Sequence, residues 1–162
     1  MRRDIVLFGL ILCIGCDDDL TGPVMPDLTG EWSYSATNLR APGSPGGVSC
    51  NVSDVTLSIT QTGERITGTY SGGAVTCSNG LSYSFPRDPY RSLTGSISVS
   101  EWDGFALVHF DLDQPYDWSH RGTVSGSSMG GGVSMWGPEF CDEWGCREEL
   151  LMSGDWMATG LR

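Results

Sequence analysis

From Gly30 onward the chain alternates. Trp32, Tyr34 and Ala36 stand between polar neighbours, as do Val55, Leu57 and Ile59, then Ile66, Gly68 and Tyr70, then Leu93, Gly95, Ile97 and Val99. An apolar residue at every second position puts one side of an extended chain in a core and the other in water, so these segments are predicted as strands with one wet face. Turn signals separate them: Thr62-Gly63, Asn79-Gly80, Asp103-Gly104 and the run Ser127-Ser128-Met129-Gly130. The predicted strands cover residues 31–38, 50–61, 65–78, 81–85, 92–101, 105–112, 119–127, 131–136 and 153–161. No stretch has the period of a long helix; CREELLMSG, residues 146–154, offers a turn or two at most. Connections this short make the strands an antiparallel meander.

A loose repeat runs through them. LTGEW, ITGTY, LTGSI, VSGSS and MATG place glycine at 30, 68, 95, 126 and 160, each beside a small hydroxyl residue and about one hairpin apart. Glycine weakens a strand unless the backbone must bend sharply or a bulky side chain must lie on it, which is what barrel corners demand. An open meander of this size leaves two long edges bare, and pairing GDWMATGL with GEWSYSAT removes both. The expected fold is therefore all-β, an antiparallel up-and-down β-barrel of about eight strands, with a two-sheet β-sandwich as the alternative. Trp32, Tyr34, Tyr70, Ile97 and Trp156 then point inward, where eight strands enclose either a core of side chains or one small ligand. The segment FALVHFDL, 105–112, is apolar on both faces, and its outer face is expected to meet a partner, a loop or another copy.

The opening Gly30-Glu31-Trp32, the Thr-Gly hairpins and the returning last strand resemble the calycin group, the lipocalins and avidins, over residues 28–162. That resemblance implies a lipocalin-like barrel, a small apolar or amphipathic ligand, and a late arginine, here Arg162, packed on Trp32. It bears on the fold more than on the ligand.

Ahead of the barrel lies LFGLILCIGCDDDL, residues 7–20. The apolar run from 5 to 15 falls well short of the ~20 residues a membrane-spanning helix needs. With Met1-Arg2-Arg3 before it and Gly15 at its end, it has the layout of a secretory signal. At Cys16 it resembles the lipobox of bacterial lipoproteins, which implies cleavage after Gly15 and a lipid on Cys16. The expected organisation is a signal peptide over 1–15, a lipidated cysteine and tether over 16–29, and one barrel domain over 30–162. The implied address is the cell envelope, exported and anchored to the membrane through the lipid.

Cysteine usage agrees with export. Once Cys13 leaves with the signal and Cys16 takes lipid, Cys50, Cys77, Cys141 and Cys146 remain, an even set suited to an oxidising compartment. Partners across the Thr62-Gly63-Glu64 turn have numbers summing to about 126, so Cys50 faces Cys77 with one residue of slack, which a bulge at Gly72-Gly73 can absorb. Cys141 then pairs with Cys146. The spacing has no paired C-x-x-C, and neither histidine lies within ten residues of these cysteines, so no metal is expected.

Charge narrows the partners. Without Arg2, Arg3 and Asp4 the chain keeps 7 basic and 19 acidic side chains, a formal charge of −12, which disfavours nucleic acid and anionic lipid headgroups. Alternating the connections between the two ends of the barrel collects 62–64, 86–91, 113–118 and 137–152 at one end. This end gathers Tyr90, Tyr116, Trp118, Phe140 and Trp144 with Arg87, Arg91 and Arg147, a mixture suited to recognition. Trp32, Tyr90, Tyr116, Trp118 and Trp144 are the candidate contacts for a small apolar ligand or an envelope protein. No enzyme is expected and no cofactor. His109 alternates with Phe105 and Leu107, and Asp117, Ser119 and His120 are sequence neighbours, whereas a triad converges from distant segments.

Overall fold

The computed structural model describes residues 24–43, 46–86, 91–113, 117–137, 140–142, 145–147 and 149–161. In chain order its strands are β1 (Gly30–Arg40), β2 (Ser49–Thr62), β3 (Arg65–Ser71), β4 (Ala74–Cys77), β5 (Ser82–Ser84) and β6 (Ser92–Val99). They continue with β7 (Ala106–Leu112), β8 (Asp117–Ser125), β9 (Ser128–Trp136), β10 (Phe140–Asp142), β11 (Gly145–Arg147) and β12 (Leu150–Gly160). The order β1-β12-β9-β8-β7-β6-β3-β2 returns to β1, so eight antiparallel strands close into an up-and-down barrel, with β4 and β5 added beside β2. The seam is the expected one: Trp32 lies opposite Gly160, Tyr34 opposite Ala158 and Ala36 opposite Trp156.

Glycine makes the closure possible. A Cβ at Gly68, Gly95, Gly122 or Gly131 would collide with the backbone of the neighbouring strand, at the carbonyls of Ser58, His109, Gly130 and Arg121 in turn. Gly126 instead turns the chain at φ 59° in the tight β8–β9 connection. That turn is residues 126 and 127, and the run from Ser128 to Gly130 predicted as a turn is the start of β9, because Ser125 pairs with Ser128. Of residues 146–154, which offered at most a helical turn or two, 146–147 belong to β11 and 150–154 to β12.

Two irregularities shift the alternation. Val55, Leu57 and Ile59 face inward as predicted, but Asp54, at φ 60°, inserts an extra residue, so Cys50 and Val52 are buried instead of residues 51 and 53. Asn38, at φ 57°, does the same on β1 and turns Leu39 into the core. On the strand facing β2, Gly72 and Gly73 take φ values of 70° and 99° and divide the predicted 65–78 strand into β3 and β4. Because both strands of this hairpin are displaced at the same level, register is preserved across the break: Thr56 faces Ser71 and Ser53 faces Ala74. The hairpin turns at residues 63 and 64 alone, Thr62 pairing with Arg65, so Cys50 meets Cys77 with no slack for a bulge to absorb.

The disulfide between Cys50 and Cys77 forms as expected, closing 27 residues of sequence. Cys141 lies opposite Cys146 in the β10–β11 register, while their side chains fall outside the described residues. Replacing Cys50 and Cys77 together by alanine is expected to cost about 3.5 kcal/mol in the chain-entropy account of a loop this long, read as a lower urea midpoint. The glycines supply a paired test. Gly131→Ala is expected to destabilise by roughly 1–3 kcal/mol through overpacking, whereas at Gly132 a Cβ meets nothing nearer than 4.0 Å and alanine should leave the midpoint near wild type.

Candidate functional site

The two ends of the barrel differ. The connections at 63–64, 100–105 and 126–127 are short and share one end with the chain entering at Gly30 and leaving at Gly160; those at 41–48, 72–91, 113–116 and 137–149 gather at the other. Three of the four loops expected together, around 86–91, 113–118 and 137–152, thus do share an end, and 41–48 takes the place of 62–64. The reason is β4 and β5. They leave the barrel and return at the same end, so counting them as a barrel crossing reverses the parity of every earlier loop. Tyr90, Tyr116 and Trp144 lie outside the described residues, as do the side chains of Phe140 and Cys141.

Among the described residues each end carries a buried stopper side chain. At the tight-turn end Leu28 is fully buried, its N–H bonded to Gln61 Oε1 at 2.8 Å, and its carbonyl accepts the Trp32 indole N–H at 2.9 Å. Met25 packs against the core beside it. Trp32 therefore sits beneath the entering chain and beside Gly160; Arg162, expected over it, lies outside the described residues. At the long-loop end the excursion through β4 and β5 delivers Phe85, 4% exposed and held by its N–H on the Gly73 carbonyl at 3.1 Å. Its ring meets Tyr70 at 5.7 Å and Trp118 at 5.5 Å between centroids. Trp118, a candidate contact residue, faces inward under Phe85.

Between the stoppers the rings continue. His120 is fully buried, stacked on Phe110 at 4.4 Å, with Trp156 edge-on to both at 5.0 and 5.7 Å. Its Nδ1 lies 3.3 Å from the Phe110 carbonyl, which can only accept, so Nδ1 carries the proton and Nε2 accepts the Tyr34 hydroxyl at 2.8 Å. Tyr70 donates to the Asp113 carbonyl at 2.7 Å and Trp156 to the Arg121 carbonyl at 3.3 Å. Every polar tip on this column has a partner, and among the described residues no buried side-chain nitrogen or oxygen lacks one. Burial pushes His120 down to about 3 and raises the Tyr34 hydroxyl well above its ordinary value, so both stay neutral at physiological pH.

The outer face carries open grooves. One of about 360 Å³ runs over β6–β8 between Ser96, Ser98, Leu107, His109, Arg121 and Thr123. A second, about 320 Å³, lies between Ser119, Arg121, Ser134 and Trp136 over the bare backbone of Gly132. On this face His109 Nε2 meets Ser119 Oγ at 2.9 Å and Asp111 Oδ1 at 3.5 Å. Hydroxyl and carboxylate compete for one ring nitrogen, so the carboxylate does not orient the imidazole from its far side as an acyl-transfer relay requires. The β8 N–H groups are committed to ladders with β7 and β9, leaving no pair free as an oxyanion hole. The FALVHFDL strand divides by face: Ala106, Val108, Phe110 and Leu112 are inward and buried, Phe105 and Leu107 exposed. Among the described residues no three His, Cys, Asp or Glu side chains converge as metal ligands.

These features define a closed eight-stranded up-and-down barrel with a disulfide-pinned flank. No protein-family model, curated protein or solved structure matches the chain.

The buried imidazole has a consequence for stability. In the unfolded chain histidine titrates near 6.5, in the fold near 3, so between these values the unfolded state holds the extra proton. Stability is full above pH 6.5 and falls as pH drops towards 3, by a total on the order of 4 kcal/mol from this group. In urea titrations at pH 7, 5 and 4, His120→Gln should be less stable than wild type at pH 7, and the gap should narrow steadily with acidification. A constant gap would show that His120 is not the buried neutral group.

Proposed function

We propose that this protein is an exported, lipid-anchored module of the bacterial cell envelope whose barrel is a solid scaffold for recognising another envelope protein, and that it catalyses no reaction. The observation that carries this reading is the continuous aromatic column through the described interior. Leu28 below, Phe85 above and the Tyr34, Phe110, Trp118, His120 and Trp156 rings between them occupy the space in which a carrier would hold its cargo. A small-molecule carrier, the reading favoured by the lipocalin resemblance, would need this aromatic column to part and strand its hydrogen bonds. Recognition then falls to the exterior, at the long-loop end or along the outer face of β7, where Leu107 is exposed. Export and anchoring rest on the Gly15-Cys16 junction, and the disulfide is compatible with an oxidising compartment.

Native mass spectrometry tests the scaffold. The mature chain, purified gently and incubated with an envelope lipid extract, is expected to fly as a single apo mass; a retained non-covalent mass would restore the carrier. Metabolic labelling with an alkynyl fatty acid tests the anchor. Wild type should be labelled and sediment with membranes, and Cys16→Ser should be unlabelled and soluble.

A further inference from the structure

We infer that the tight-turn end of the barrel docks on the bilayer surface, with Trp102 and Phe105 entering the lipid interface. This deepens the reading of Cys16 as a lipid anchor and rests on it. Trp102 is 97% exposed and Phe105 58%, in the turn between β6 and β7. Val24 and Leu161 are exposed at the same end, and Leu107 and Met157 one rung away, whereas the described long-loop end exposes only Val48, Leu81 and Tyr83 among large apolar side chains.

The turn is built to present its tryptophan. Ser100 N–H donates to the Phe105 carbonyl and Gly104 N–H to the Ser100 carbonyl, both at 2.9 Å, while Asp103 Oδ1 accepts the Phe105 N–H at 3.2 Å. A rigid turn that holds an indole in water loses little freedom when the indole is buried elsewhere, and the membrane interface favours an apolar ring with a polar N–H.

The occupant follows from where the chain enters. Cys16 precedes Val24 by eight residues, which span at most about 29 Å. Met25 and Leu28 pin the next residues across the tight-turn end, so a lipid on Cys16 holds this end towards the bilayer. Tethering keeps the turn at high effective concentration over the surface, so a weak insertion of two rings is enough to orient the barrel. Glu31, Glu64, Glu101 and Asp103 outnumber Arg65 at this end, which selects a zwitterionic surface over an anionic one.

The test supplies the anchor chemically. Mature protein exported behind a non-lipidating signal is coupled through the Cys16 thiol to maleimide-headgroup lipid in phosphatidylcholine vesicles, with or without brominated acyl chains. Bromolipid is expected to quench a blue-shifted component of the tryptophan emission, absent from Trp102→Phe and from the uncoupled chain. Iodide quenching of Trp102 should fall several-fold on coupling, and phosphatidylglycerol should reduce both effects. Emission that stays iodide-accessible and insensitive to bromolipid overturns the proposal, as does bromolipid quenching that persists in Trp102→Phe. A blue shift that follows protein concentration instead of lipid would assign the patch to a second copy and also overturn it. Trp102→Glu with Phe105→Glu should fold as wild type and lose the iodide protection of any remaining exposed tryptophan. Because coupling replaces whatever the cell attaches, an unlabelled native Cys16 refutes the anchor without touching this result, and failed docking leaves the anchor standing.

Discussion

Closing eight strands leaves the barrel itself without an edge but with a narrow interior, and the main packing features of this protein are responses to that confinement. Strands that curl so tightly bring neighbouring backbones together at the bends, and Gly68, Gly95, Gly122 and Gly131 stand where no Cβ fits. The space they surrender is refilled by rings: the Trp156 indole lies over Gly122, where an added Cβ would come within 2.9 Å of it. Small residue and large ring are two halves of one packing solution, and neither is stable without the other.

Filling a narrow barrel with Tyr, Trp and His in place of aliphatic residues brings polar atoms into the core, and each must be satisfied there. His120 meets this by fixing its tautomer. The Phe110 carbonyl takes the Nδ1 proton, which leaves Nε2 to receive the Tyr34 hydroxyl, so a strand carbonyl sets the direction of a hydrogen bond across the barrel. A core specified this way tolerates one arrangement of its rings, which is a better property in a scaffold than in a pocket that must admit and release a guest.

The alternation of Trp32, Tyr34 and Ala36 and of Val55, Leu57 and Ile59 revealed the strands, and the wish to hide two edges revealed their closure, because burial against water acts residue by residue and leaves a periodic trace. Asp54 and Asn38 left none. A single residue at positive φ flips the facing of everything beyond it, so Leu39, Val52 and Cys50 entered the core against the extended pattern. The Cys50 to Cys77 pairing was still readable, since Gly72 and Gly73 displace the facing strand at the same level and the two errors cancel. Phe85 was not legible as a stopper. Its position depends on β4 and β5 leaving the barrel, a matter of topology that local alternation does not record. The sequence marks Trp32 both as inward-pointing and as a candidate contact, and Trp118 as an aromatic at the long-loop end; composition alone could not separate a ring that seals a core from one that faces a partner.

With Leu28 buried at one end and Phe85 at the other, the barrel lacks the simple asymmetry of a cup among its described residues, yet it remains polar in another sense. Connections of a few residues crowd one end, where Met25 and Leu28 bring the chain in and Trp102 stands clear of the body; the long connections crowd the other. Once the tight-turn end is committed to one neighbour, the other end and the flank of β7 are what the molecule can offer to a second. On the scaffold reading proposed above, the aromatic column would act as a spacer that sets their separation, and its rigidity would be what it contributes to recognition.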